Sequence, residues 1–123
     1  MYIGSINNVP QEDVSRLIPG TRGFLIQWLV TKREGSNTFA VRRFVVKPGG
    51  RMPLHIHKYV EAVVIIRGRL RVGSKDVVRE LGPGDYFFTA PYEPHFIENI
   101  SDSDTEFICV ISYEDDMSIK VLE

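Results

Sequence analysis

The chain has 123 residues, a formal net charge of −1 and one cysteine, Cys109. Its length predicts a single domain over residues 1–123, and its near-neutral charge excludes a general electrostatic affinity for nucleic acid, which depends on many phosphate contacts. Because there is no membrane-length apolar run, no signal-peptide pattern and no possible internal disulfide, we expect a soluble cytoplasmic protein without a membrane partner.

The N-terminal extension, residues 1–23, contains the one helical pattern of the chain, from Pro10 to Ile18. Proline suits the first turn of a helix, and the two acidic residues that follow favour its amino end. Pro19-Gly20 would end it. We therefore expect a short N-terminal helix or turn before the strands begin.

Eight short runs rich in β-branched and aromatic residues follow, each bounded by Gly, Pro, Asn, Asp or Ser. The predicted strands are Phe24 to Val30, Phe39 to Lys47, Val60 to Ile66, Arg69 to Val72, Val77 to Leu81, Tyr86 to Thr89, His95 to Asn99 and Glu106 to Tyr113. Such spacing is typical of an antiparallel sandwich or barrel. The stretch from Ala62 to Ile66 is apolar at every position, which is typical of a strand covered on both faces. A second subunit is one candidate for the second covering.

All three histidines of the chain lie where they can act together. His55, His57 and Glu61 form the pattern His-x-His-x-x-x-Glu, and His95 opens a later strand. Residues two apart on a strand point to the same face, so His55 and His57 should enter one cavity, to which Glu61 can return. Neutral nitrogens and one carboxylate suit a divalent transition metal. A metal site is the first hypothesis, and ordinary half-buried histidines are the alternative.

These segments resemble the two sequence motifs of the cupin family. The first, Gly-x5-His-x-His-x3-Glu-x6-Gly, is matched at every spacing by Gly49, His55, His57, Glu61 and Gly68. The second, Gly-x5-Pro-x-Gly-x2-His-x3-Asn, is matched in spacing by Gly84, His95 and Asn99. Ala90 and Tyr92 stand where this motif has proline and glycine, so the loop that leads to His95 departs from the pattern. Tyr92 is a candidate for the mouth of the cavity.

The resemblance implies an all-β fold, the double-stranded β-helix or jelly-roll barrel of cupins, with the metal motifs within residues 49–99. It implies that His55, His57, Glu61 and His95 bind one divalent transition metal, which the ligand types leave open among Mn, Fe, Co, Ni, Cu and Zn. It also implies a homodimer.

The expected function is that of a metal-dependent enzyme acting on a small organic molecule. We favour oxidoreductase or dioxygenase chemistry, because many single-domain cupins with this ligand set are dioxygenase-like. The alternative is an isomerase, epimerase or lyase that uses the metal as a Lewis acid, with Glu61 as a candidate base. A non-catalytic barrel that binds or senses a small ligand is the competing class.

Four further residues carry open alternatives. Arg42 and Arg43 are neighbours on a strand, so one should point inward, where it could bind a substrate carboxylate or phosphate. A salt bridge at the barrel rim is the alternative role. Tyr59 could line the pocket or pack on a surface turn, and Trp28 could belong to the core or to a dimer interface.

Overall fold

The computed structural model describes all residues, 1–123, and its regular structure consists of strands and three 3₁₀ turns. The strands are β1 (Glu12–Asp13), β2 (Arg22–Val30), β3 (Phe39–His57), β4 (Glu61–Arg67), β5 (Leu70–Gly73), β6 (Val78–Leu81), β7 (Tyr86–Thr89), β8 (His95–Glu98), β9 (Thr105–Ser112) and β10 (Ile119–Val121). Every strand pair is antiparallel. The predicted all-β jelly-roll architecture is confirmed. No helix of this chain has the length and apolar character that a bilayer crossing requires.

The barrel closes because β3 changes partners along its length. The central path of the sheet runs β6-β5-β8-β3-β9-β4-β7. The first half of β3 pairs with β2 and β9, and its second half pairs with β8 and β10. The change occurs at Gly49, which has a φ of 75°, and Gly50, where a Cβ would lie 2.7 Å from Val46 Cγ1. The sequence predicted a strand end at Lys47, whereas here the strand bends and continues to His57.

The N-terminal segment forms a turn and not a continuous helix. Within Pro10 to Ile18 the chain makes the short strand β1 and a 3₁₀ turn, Val14–Arg16. The Asp13 side chain caps this turn by accepting a hydrogen bond from the Ser15 amide at 2.9 Å. Val14 and Ile18 are both buried. Burial of these two apolar side chains, one turn apart, attaches the segment to the barrel.

The centre of the barrel is apolar and aromatic. The rings of Phe44 and Phe107 stack with their centroids 4.8 Å apart, and Phe24 meets both rings edge-on. Cys109 is buried in the same core cluster and forms no disulfide. In such surroundings a free cysteine packs as a small hydrophobic side chain.

The outer face of β4 is open to solvent in the single chain. Val63 and Ile65 are buried, but Val64 and Ile66 are 44% and 49% exposed, so the chain covers this strand on one face only. Cross-strand partners extend the exposed surface. Phe88 of β7, for example, lies opposite Ala62 of β4. We define the outer apolar face as Ala62, Val64, Ile66, Tyr86, Phe88 and Val110, which are all exposed.

Candidate metal centre

The three histidines meet in the interior of the barrel. His55 and His57 alternate onto the inner face of β3, and the register of β3 with β8 places His95 opposite His55. One ring nitrogen from each lies within 4.8 Å of the other two, and all three residues are buried. The structure therefore brings together the three histidines that the sequence singled out.

Backbone carbonyl groups orient all three imidazoles in the same way. The Nδ1 atoms of His55, His57 and His95 lie 2.7, 2.7 and 2.8 Å from the carbonyl oxygens of Pro53, Tyr59 and Glu93. A carbonyl oxygen only accepts, so each Nδ1 carries the proton and donates it, which leaves each Nε2 with a lone pair. The Nε2 atoms of His57 and His95 are buried and have no hydrogen-bond partner. Converging unpaired Nε2 atoms with carbonyl-bound Nδ1 atoms fit a bound metal ion.

Glu61 lies beside this cluster at the start of β4. Its Oε1 is 3.7 Å from His95 Nε2, and its Oε2 accepts a hydrogen bond from Arg42 Nη2 at 3.0 Å. The carboxylate is therefore not within the tight group formed by the three histidines. One of its oxygens faces the histidines, and the other is held by the arginine.

The electrostatics favour the neutral forms of His55 and His57 and the ionised form of Glu61. Burial, together with the neighbouring His95, lowers the pKa of His55 to about 4, and burial also lowers the pKa of His57. For Glu61, burial acts to raise the pKa, but the charge of Arg42 and the nearby histidines outweigh it, so the pKa lies below its usual value. Neutral imidazole and ionised carboxylate are the forms that bind metal.

A pH-dependent stability of the metal-free protein follows from His55. Its unfolded pKa is about 6.5, but its folded pKa is about 4, so between these values the unfolded state binds more protons. The free energy of unfolding should therefore fall as pH is lowered through this window, by about 2 kcal/mol at pH 5 relative to pH 7.5 from this group alone. Urea denaturation of chelator-treated protein at pH 7.5, 6.5 and 5 measures it. His55→Gln should show a smaller decrease, and equal decreases in the two proteins would contradict the assignment.

Arg42 is the inward-pointing member of the arginine pair. It is 7% exposed, and its Nη2 also donates to Cys109 Sγ at 3.1 Å. Arg43 points to the other side of the strand, where it binds Gln27 and Glu106. The alternation was predicted, but the partner was not, because nothing in the sequence indicated that Glu61 and Arg42 would be neighbours. Arg42 forms an interior ion pair and not a bridge at the barrel rim.

An apolar cavity of about 280 Å³ adjoins the cluster. Its apolar lining consists of Val14, Leu17, Ile18, Ile26, Trp28, Phe44, Met52, Tyr59, Ile97, Phe107, Ile111, Met117 and Ile119. Its polar lining consists of Arg42, His55, Glu61 and Ser118. Trp28 and Tyr59, whose places the sequence left open, therefore both line it. Tyr59 also stacks on the His57 ring at a centroid distance of 3.8 Å. His95 borders a second, more open cleft of about 290 Å³ on the other side of the cluster.

The second motif shapes the loops around His95 and supplies no further ligand. The Asn99 amide nitrogen donates to the carbonyl oxygens of Val46 and Ser103, so this residue ties β8 to the bend in β3. Tyr92 is the one non-glycine residue with positive φ, 61°, at the motif position of a glycine. The backbone thus keeps the left-handed conformation despite the substitution. Its side chain is exposed and does not line the cavity beside the cluster.

Comparisons with known proteins show the family and the fold. The family model described as "Cupin domain" matches residues 42–111, and no curated protein matches the chain. Among solved structures, the polyketide cyclase RemF from Streptomyces resistomycificus has a TM-score of 0.89 at 23% identity, covering 100% of this chain and 86% of that one. A predicted oxalate decarboxylase from Thermotoga maritima has a TM-score of 0.80 at 25% identity, covering 92% and 100%.

A cupin 2 domain-containing protein from Halorhodospira halophila has a TM-score of 0.69 at 30% identity, covering 85% of this chain and 70% of that one. The family match spans more than half of the present sequence and includes both histidine segments. The chain belongs to the cupin family.

Proposed function

We propose that this protein is a metal-dependent enzyme acting on a small, largely apolar organic molecule. The observation that carries the proposal is the cavity of about 280 Å³, in which mainly apolar walls meet one polar wall containing His55, Glu61 and Arg42. A mostly apolar pocket with a few convergent polar groups is the usual form of a small-molecule site.

His55, His57, His95 and Glu61 would hold the metal. The donor set suits Mn, Fe, Co, Ni, Cu or Zn. A bound ion would act as a Lewis acid on a substrate oxygen or support redox chemistry. Arg42 holds the Glu61 carboxylate ionised and in one orientation. A lowered pKa makes Glu61 a weak base, so a proton-abstracting role for it requires that the ion pair with Arg42 loosens.

For the reaction, we favour redox-neutral chemistry such as cyclisation, isomerisation or elimination. The support is the match to a polyketide cyclase along the whole chain, including the N-terminal and C-terminal segments that here supply Val14, Leu17 and Met117 to the cavity wall. That likeness concerns the fold, and the step from fold to reaction is our proposal. Oxidoreductase or dioxygenase chemistry is the second candidate, because the same ligands also hold redox-active iron, manganese or copper.

The test is turnover by protein reconstituted with each of the six metals. Metal-free protein is loaded separately with each ion and incubated with one- and two-ring ketones, enols and phenols, in air and without oxygen. Mass spectrometry follows the products, and an oxygen electrode follows consumption. We expect conversion that requires the metal and proceeds equally well without oxygen.

The controls separate the competing classes. Stoichiometric oxygen consumption would replace the redox-neutral assignment by an oxygenase. Binding without conversion, with every metal tested, would overturn the enzyme proposal in favour of a ligand-binding barrel. Metal-free protein and His57→Ala, treated in parallel, should be inactive.

We further propose that the outer apolar face is covered by a second copy of the chain. None of its six residues is charged, so two identical faces can meet without opposing like charges, as a two-fold symmetric interface requires. Val64→Glu should therefore convert a dimer into a monomer, measured by light scattering during size-exclusion chromatography. Ile100→Glu, at an exposed apolar residue outside this face, is the control and should remain dimeric. A monomeric parent protein at micromolar concentration would refute the proposal.

A further inference from the structure

The Arg42 guanidinium has more donors than its partners use. Its hydrogen bonds to Glu61 and Cys109 both come from Nη2. The Nε atom is buried and has no hydrogen-bond partner in the protein. Arginine carries five N–H donors, and a buried donor left unpaired is costly. The Nη1 atom also makes no hydrogen bond within the protein and, unlike Nε, is not fully enclosed, so the guanidinium can donate to an acceptor on a molecule bound in the cavity.

The surroundings of Arg42 indicate the shape of that molecule. The guanidinium carbon lies 5.4 Å from the ring centroid of Trp28 and 5.0 Å from that of Phe44, and all three residues line the cavity. Aromatic side chains in the cavity wall favour an aromatic ligand, through edge-to-face as well as stacked contacts. An apolar cavity of about 150 Å³ holds benzene, so the present cavity of about 280 Å³ fits a molecule of one or two fused rings.

The charges indicate the kind of acceptor. In the metal-free protein, the positive charge of Arg42 is already balanced by the ionised Glu61 at 3.0 Å, so an added carboxylate or phosphate would leave an unbalanced negative charge among apolar walls. Such a charge is expensive to bury. A neutral carbonyl or enol oxygen can accept a hydrogen bond from the guanidinium without that cost.

We propose that Arg42 is the specificity-determining residue of the cavity, donating a hydrogen bond to a neutral carbonyl or enol oxygen of a one- or two-ring apolar substrate. This inference names the substrate class for the proposed function and rests on it. Arg42 would thereby place the oxygen-bearing end of the substrate beside the histidine cluster. The carboxylate or phosphate clamp considered from the sequence is replaced by recognition of a neutral oxygen.

Binding to metal-free protein tests the proposal without turnover. Trp28 is the single tryptophan of the chain and lines both this cavity and a surface pocket beside Pro10 and Arg33, but not the cleft beside His95. A fluorescence change that is lost in an Arg42 variant therefore reports occupation of this cavity. The probes are 1-indanone, which has a carbonyl oxygen, and indane, which has the same ring system without it. Calorimetry supplies the dissociation constants. We expect 1-indanone to bind at least about tenfold more tightly than indane, as one hydrogen bond to a charged donor predicts.

The decisive variant is Arg42→Lys, which keeps a positive charge beside Glu61 but lacks the planar guanidinium and its Nε donor. It should bind indane as the parent does and lose most of the preference for 1-indanone, to within about threefold. Arg43→Lys is the matched control, since Arg43 points away from the cavity, and it should keep the full preference. Circular dichroism verifies that both variants are folded.

Three results would overturn the inference: equal affinities of the parent protein for the two probes, an undiminished preference in Arg42→Lys, or tighter binding of indane-1-carboxylate than of 1-indanone. Because no catalysis enters the measurement, its failure is distinguishable from failure of the proposed function. Absence of turnover with every metal overturns the enzyme assignment alone, whereas a ketone affinity independent of Arg42 overturns this inference alone.

Discussion

The His57→Ala variant is expected to lose tight binding of a divalent transition metal. His57 Nε2 is buried, unpaired and directed to the cluster with His55 and His95, so no other side chain can replace it. Loss of a group that merely orients a metal ligand costs roughly 10- to 100-fold in affinity, and loss of a ligand itself should cost more. Elemental analysis of protein purified without chelator or added metal, alongside the variant, measures the loss and identifies the metal of the parent protein.

Thermal stability provides the second measurement for this variant. Metal that binds only the folded state stabilises it by about 4 kcal/mol at a thousandfold excess over the dissociation constant. The parent protein should gain this stability on adding metal, and His57→Ala should not.

Two comparison variants complete the experiment. Lys58→Ala changes the neighbouring half-buried residue, whose amine pairs with Asp115 away from the histidines, and should bind metal as the parent does. Glu61→Gln should weaken binding less than His57→Ala, because one oxygen donor remains. Undiminished metal stoichiometry in His57→Ala would rule out the ligand set.

Arg42→Met is expected to cause the largest loss of stability of any single change considered. Arg42 and Glu61 are both buried and joined at 3.0 Å. Removing the arginine leaves the carboxylate as an uncompensated buried charge, which typically costs 3–5 kcal/mol. Urea denaturation of the metal-free protein at pH 7.5 measures the loss without a contribution from bound metal.

The adjacent arginine provides the matched control. Arg43→Met removes the same charge from the next position of β3, where Arg43 pairs with the more exposed Glu106. When Arg43 is removed, Glu106 keeps its second ion pair with Arg67, so no buried charge is left uncompensated and this variant should lose much less stability than Arg42→Met. The double variant Arg42→Met/Glu61→Gln should recover part of the lost stability, since it buries no lone charge. Equal losses in the two single variants would show that the Arg42–Glu61 pair has no special role.

The strand prediction was right where the local residue pattern is enough to define a strand. It was wrong where pairing with another strand determines how far a strand extends. Apolar and β-branched runs placed eight strands close to their observed positions. The same reading ended a strand at Lys47, because Pro48-Gly49-Gly50 has the composition of a turn, but pairing with β8 and β10 extends β3 through this bend. It also missed β10, Ile119–Val121. A three-residue strand is too short to have a pattern, and it forms because its partner on β3 is already in place.

The metal-centre prediction was likewise right for local features and incomplete for contacts between distant residues. His55 and His57 share a face because they are two apart on a strand, and this was readable from the sequence. The pairing of Arg42 with Glu61, 19 positions apart, was not, since it depends on the register of β9 between β3 and β4. The lining of the cavity by Trp28 and Tyr59 likewise depends on how distant segments pack.

Strand periodicity and motif spacing are properties of neighbouring residues, so the amino-acid sequence alone predicted the histidine motifs, the all-β character and the shared face of His55 and His57. The pairing of Arg42 with Glu61, the exposed face of β4 and the shape of the cavity beside the histidines became visible only in the folded chain. These features arise from contacts between residues far apart in the chain, and their geometry is set by strand register and side-chain packing, which no local pattern encodes.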